Sequence, residues 1–132
     1  MKNLAVLARI LFALPFGIIG LNHFLMTDIF LGMMSSFIPG GAFTILITGA
    51  LLIATSISII LNKFINIACF GLAGLLFIFI TTIHIPGLMD IDPRLASESM
   101  INLLKDTSLM GGAILIALFF ESQPKSSSKK QK

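Results

Sequence analysis

Residues 42–85 read AFTILITGALLIATSISIILNKFINIACFGLAGLLFIFITTIHI, two apolar runs joined by nothing longer than Asn62-Lys63. Each run holds about 20 residues, and at about 1.5 Å per helical residue that length matches a hydrocarbon core of about 30 Å. So short a polar link permits only an antiparallel helical hairpin. Working outward, a run precedes the hairpin and another follows it, giving spans at Leu4–Met26, Ala42–Leu61, Phe64–Ile85 and Leu103–Phe120. In lipid, only helices and closed barrels satisfy their own backbone, and these continuous runs lack the alternation of barrel strands. The sequence therefore predicts an all-α integral membrane protein, a four-helix bundle with short outer interfacial helices. Residues 1–121 form the four-span domain, and 122–132 a disordered, basic, cytoplasmic tail.

Composition excludes other classes. The chain is 56% hydrophobic and only 11% charged, with a mean hydropathy of +1.01. That leaves too little polar surface to cover four buried apolar helices in water. The pI of 9.4 does not indicate a nucleic-acid partner, because the cations sit at loop ends and in the tail rather than in a groove-reading motif. The first run is longer than a signal-peptide core, Arg9 interrupts it, and no small-residue cleavage site precedes His23-Phe24, so it reads as a retained span. Its partner is the lipid bilayer.

Charge fixes an expected orientation. Lys2, Arg9, Lys63, Lys125, Lys129, Lys130 and Lys132 fall on one side of the spans, opposed only by Glu121. The other side carries Arg94 and Lys105 against Asp28, Asp90, Asp92, Glu98 and Asp106. Cations are retained on the cytoplasmic side, which predicts a multi-pass protein of the cytoplasmic (inner) membrane with both termini inside.

The connection after span one is too apolar for a solvated loop. Ile29, Phe30, Met33, Met34 and Phe37 recur at near-helical spacing and predict a short helix on the outer face, ended by Pro39-Gly40-Gly41. Asp92-Pro93 is a good N-cap and N1 pair, predicting a second outer helix that leads toward span four. At 100° per residue, Arg9, Ala13, Phe16, Gly20 and His23 share a face of span one. Thr44, Thr48, Thr55 and Ser58 share one on span two, Gly71, Gly74 and Thr81 lie in line on span three, and Asp106, Met110, Ala113 and Ala117 share one on span four. Small and hydroxyl residues let membrane helices approach closely, so these stripes are expected to face inward.

Ionisable groups inside spans cost about 2.5–3.5 kcal/mol at the helix centre and mark candidate sites. Arg9 either snorkels to the headgroups or turns inward to pair with Glu121, which arrives at the same membrane face. His23 ends one outward-running span, His84 ends the other, and Lys105-Asp106 opens span four from that plane. These four residues form the expected outer-face cluster, with the histidines facing each other. Imidazole beside carboxylate can pass protons, hold a quinone carbonyl or bind a metal. No metal-ligand spacing such as H-x-x-x-H is present, so no metal is assigned. The same residues could equally be interfacial histidines bonded to loop backbone. Cys69 is the only cysteine, which removes intramolecular dithiol chemistry.

ARILFALPFGIIGLNHFL (8–25), FIPGGAFTILITGALLIATSISI (37–59), TIHIPG (82–87) and NLLKDTSLMGGA (102–113) together resemble the bacterial DoxX-like membrane proteins, over about residues 7–120. The resemblance implies a four-span bundle and, for some relatives, a link to membrane redox chemistry at quinones. It matches Arg9 and Lys105-Asp106 to family positions. Thr44 and Thr48 stand where many relatives have an acid, which weakens any proton-relay role carried over to span two. The resulting expectation is an accessory or quinone-interacting subunit beside a membrane redox partner; no cofactor is evident in the residues themselves. A small transporter whose path follows the span-two hydroxyls, or an assembly (chaperone-like) protein with no small-molecule site, are the alternatives.

Overall fold

The computed structural model describes residues 2–121 of the chain, with side chains over 3–119. It contains α1 (Lys2–Leu25), the short α2 (Thr27–Met33), α3 (Ala42–Ile60), α4 (Ile65–Gly87) and α5 (Pro93–Glu121), with no strand among the described residues. Four of these helices are long and apolar enough to cross a membrane: Asn3–Leu25, Ala42–Ile60, Ile65–Gly87 and Pro93–Phe119. The chain is a multi-pass membrane protein whose helices run alternately up and down. One end of the bundle holds the described N- and C-terminal residues, and the loop end holds α2 and the 88–92 connection.

The turn between α3 and α4 shows how two residues suffice. Lys63 N–H donates to Ser58 C=O at 2.9 Å and Asn62 N–H to Ile59 C=O at 3.2 Å. Asn62 is left-handed, with φ 59°. This is a Schellman cap with asparagine in the position usually held by glycine. Phe64, also left-handed at φ 54°, starts the next helix, its C=O accepting from Ala68 N–H at 2.9 Å. At the opposite end Asp92 caps α5, its Oδ1 accepting from Arg94 N–H at 2.9 Å. Nothing breaks the helix afterwards, so the second expected outer helix is simply the first turns of α5. The first expected outer helix stops at Met33, where Met34 turns extended. Phe37 lies in the loop beyond.

The core is a heptad-like seam. On α3 the buried residues are Ile45, Gly49, Leu52, Ser56 and Ile59, alternating four and three apart as in left-handed helix packing. Of these, Leu52 and Ile59 join one cluster with Ala13 and Phe16 of α1, Ile65, Cys69, Leu72 and Leu76 of α4, and Ala113 and Ala117 of α5. α1 and α3 approach closely where Gly20 faces Gly49: a Cβ on Gly49 would lie 2.8 Å from the Gly20 carbonyl oxygen and 2.6 Å from His23 Cβ. Only glycine permits that approach, which backbone-to-backbone packing in lipid exploits. Ser56 Oγ adds a buried hydrogen bond to Ala13 C=O at 2.8 Å.

Two expected faces are corrected. Thr44, Thr48, Thr55 and Ser58 lie half-buried on the flank of α3, one position away from the seam. Gly71, Gly74 and Thr81 of α4 are exposed, and a Cβ on either glycine would meet nothing within 4 Å. The physical reason is that lipid-facing and core-facing residues are equally apolar here. Hydropathy cannot rank the faces, and a small residue is buried only where a neighbour comes close. The faces of α1 and α5 agree with expectation at Ala13, Phe16, His23, Asp106, Ala113 and Ala117, all buried.

Candidate functional site

Both histidines lie at the loop end, in two compartments. In the first, α4 brings His84 against α5. His84 Nε2 and Asp106 Oδ2 are 2.9 Å apart, and Lys105 Nζ lies 3.7 Å from Asp106 Oδ1. Asp106 is only 7% exposed, whereas Lys105 reaches outward to Asn102 Oδ1 at 2.9 Å. An ionised Asp106 accepts only, so Nε2 of His84 carries the proton that makes this bond. Nδ1 takes no protein partner among the described residues.

A register shift in α4 sets the position of His84. Ile80–His84 is a π-turn, with Ile85 N–H closing back on Ile80 C=O. Pro86 has no N–H, so the carbonyl of Thr82, four residues earlier, loses its α-helical donor. Ser35, in the loop after α2, supplies the replacement: its Oγ donates to Thr82 C=O at 2.7 Å. The wider turn winds the helix more slowly, so His84 sits rotated back from where a continuous α-helix would carry it.

His23 occupies the second compartment. Its Nδ1 lies 2.8 Å from the Ile19 carbonyl of its own helix, and its ring stacks on Phe30 of α2 with centroids 3.9 Å apart. A groove of about 90 Å³ opens beside it, walled by Phe30, Met34, Ile45, Thr48, Phe79 and Thr82 among others. Of the four residues expected together, the structure joins His84, Lys105 and Asp106. No hydrogen bond or ion pair connects His23 to those three. Arg9 is half-buried on α1; the Glu121 side chain and the tail 122–132 lie outside the described residues, and so does the expected Arg9–Glu121 pair. Among the described residues no three His, Cys, Asp or Glu side chains gather as a metal site.

Sequence reasoning missed Ser35 and the π-turn, and it named Phe30 only as part of the outer helix, not as the partner of His23. Pro86 was the available signal, since it orphans a carbonyl one turn back. The arrangement belongs to a multi-pass helical membrane protein with a buried carboxylate paired to a half-buried imidazole at one end. No family model, curated protein or solved structure matches the chain.

Proposed function

We propose that this chain is a DoxX-like protein of the cytoplasmic membrane, with both termini inside, acting as an accessory, quinone-interacting subunit of a membrane redox system. The observation that carries this reading is the His84–Asp106 pair. A carboxylate and an imidazole retained at the end of an apolar bundle are costly without a task. Imidazole bridging a carboxylate and an open nitrogen is suited to moving a proton to or from a ligand at the membrane surface. The charge asymmetry of the loops supports the orientation, and the four quoted sequence stretches support the family.

The test is purification from native membranes in mild detergent, followed by solvent extraction and chromatography of bound small molecules. The expected result is a quinone recovered with the chain and with a redox partner, and lost from His84→Ala and Asp106→Asn variants that still insert. A stoichiometric protein partner with no extracted small molecule would instead establish an assembly role. Solute flux in reconstituted vesicles would establish a transporter. A periplasmic reporter active after Lys132 would overturn the orientation.

A further inference from the structure

The groove beside His23 is separate from the His84–Asp106 pair, and its chemistry is set by a tautomer. The Ile19 carbonyl can only accept, so Nδ1 of His23 is the protonated nitrogen. Nε2 of the neutral ring is then an acceptor with no protein donor among the described residues. Among the described residues no fully enclosed polar side-chain atom lacks a partner, so Nε2 keeps some open surface, and His23, only 6% exposed, lines the groove. Thr48 presents the other uncommitted polar group there, since its hydroxyl makes no hydrogen bond among the described residues. The neighbouring hydroxyls are taken: Thr44 Oγ1 donates to Pro39 C=O at 2.6 Å and Thr82 Oγ1 to Ile78 C=O at 2.7 Å.

The remaining lining is apolar, with Phe30 and Phe79 among its walls. Ile78, 54% exposed, stands at the rim and opens it toward the lipid-facing surface. At about 90 Å³ the groove is smaller than the dry cavity of about 150 Å³ that encloses benzene. One ring therefore enters in part, and any longer substituent stays in the lipid. An apolar pocket with a small number of placed polar groups is the usual form of a ligand site.

We infer that this groove binds a lipid-soluble ring bearing a hydroxyl group, a phenol or hydroquinone head, whose O–H donates to His23 Nε2 while its oxygen accepts from Thr48. A ligand offering only carbonyl or ether oxygen leaves Nε2 without a donor and is selected against. The inference does not depend on the quinone reading of the His84 pair.

With only two histidines in the chain, selective ¹⁵N-histidine labelling gives two ring systems to follow by NMR in lipid nanodiscs. Titration with 4-propylphenol is expected to move the His23 Nε2 signal saturably and leave the His84 ring unmoved. The methyl ether, 4-propylanisole, is expected to move neither. Thr48→Val, which keeps the shape, weakens phenol binding about fivefold, and His23→Phe abolishes it. A short-chain hydroquinone and its quinone, run in parallel, are expected to separate in the same sense. An equal response to phenol and ether, a response at His84 alone, or no saturable response, as when Nε2 merely holds a water, would each overturn the proposal. Saturation by 1-octanol as tight as by the phenol would overturn the ring requirement. Failure here leaves the His84 reading standing, because that reading is measured by extracted quinone in His84→Ala.

Discussion

The two histidines lie at the same end of one bundle and are held by opposite means. His84 is held through its side chain, by a carboxylate from another helix. His23 is held by its own backbone, by a ring stacked on it and by a glycine pressed against its Cβ. The first arrangement couples α4 to α5 electrostatically. The second spends no charge and leaves one nitrogen open. The comparison teaches that depth along a helix is a poor guide to environment in a membrane protein. What decides is the partner presented at the same height by the next helix.

The most severe way to break the comparison is to remove the imidazole. His84→Leu leaves the Asp106 carboxylate, only 7% exposed, with Lys105 3.7 Å away as its sole charged partner among the described residues, and losing one member of a buried pair costs about 3–5 kcal/mol. The loss is expected as lowered resistance to SDS in an equilibrium unfolding series. The double variant His84→Leu/Asp106→Leu should recover most of it, since two apolar residues leave no unpaired charge. A double variant as unstable as the single would mean that the pair is not the source of the cost.

A smaller effect is expected on the other side. In Gly49→Ala the new methyl would meet His23 Cβ at 2.6 Å and the Gly20 carbonyl oxygen at 2.8 Å, an overpacking that costs about 1–3 kcal/mol. The ¹⁵N ring signals of His23 should move while those of His84 stay. If both move together, the compartments are mechanically one.

Smallest is the latch between them. Ser35→Ala removes the donor that Pro86 leaves Thr82 without, costing about 1 kcal/mol. Amide exchange in the 34–41 loop should accelerate, with α1 and α3 unchanged. Unchanged exchange there would show that water replaces Ser35 without loss.

How much of this the sequence disclosed depends on what physics labels each feature. The spans were legible because length and continuous hydropathy are properties of a run, not of a face. Ala13, Phe16 and His23 were placed inward correctly, as were Ala113 and Ala117, where small residues meet a close neighbour. Gly71 and Gly74 carry the same signature with no neighbour within reach, and they were misplaced. Thr44, Thr48, Thr55 and Ser58 missed the seam by one residue, because Ile45 and Leu52 look no different from lipid-facing isoleucine and leucine. His84 and Asp106 were brought to one plane by counting along the spans. That count could not show that a π-turn aims His84 at α5 while His23 turns to Phe30.

The length of α5 carries a consequence of its own. Its 29 residues extend about 43 Å, against a hydrocarbon core of about 30 Å. With its C-terminal end at one membrane surface, about 20 residues are immersed, and the capped N-terminal turns with Arg94 and Glu98 stand in water. Asp106 then lies only about 6 Å beneath the far surface, with Lys105 reaching back toward the water. With the C-terminal end held at its own surface, lipid chains shorter by a few carbons are expected to bring the His84–Asp106 pair nearer the headgroups and longer ones to sink it, a shift that fluorescence or exchange measured at the loop end across lipids of graded length would check. Membrane thickness would then act on that pair with no substitution needed.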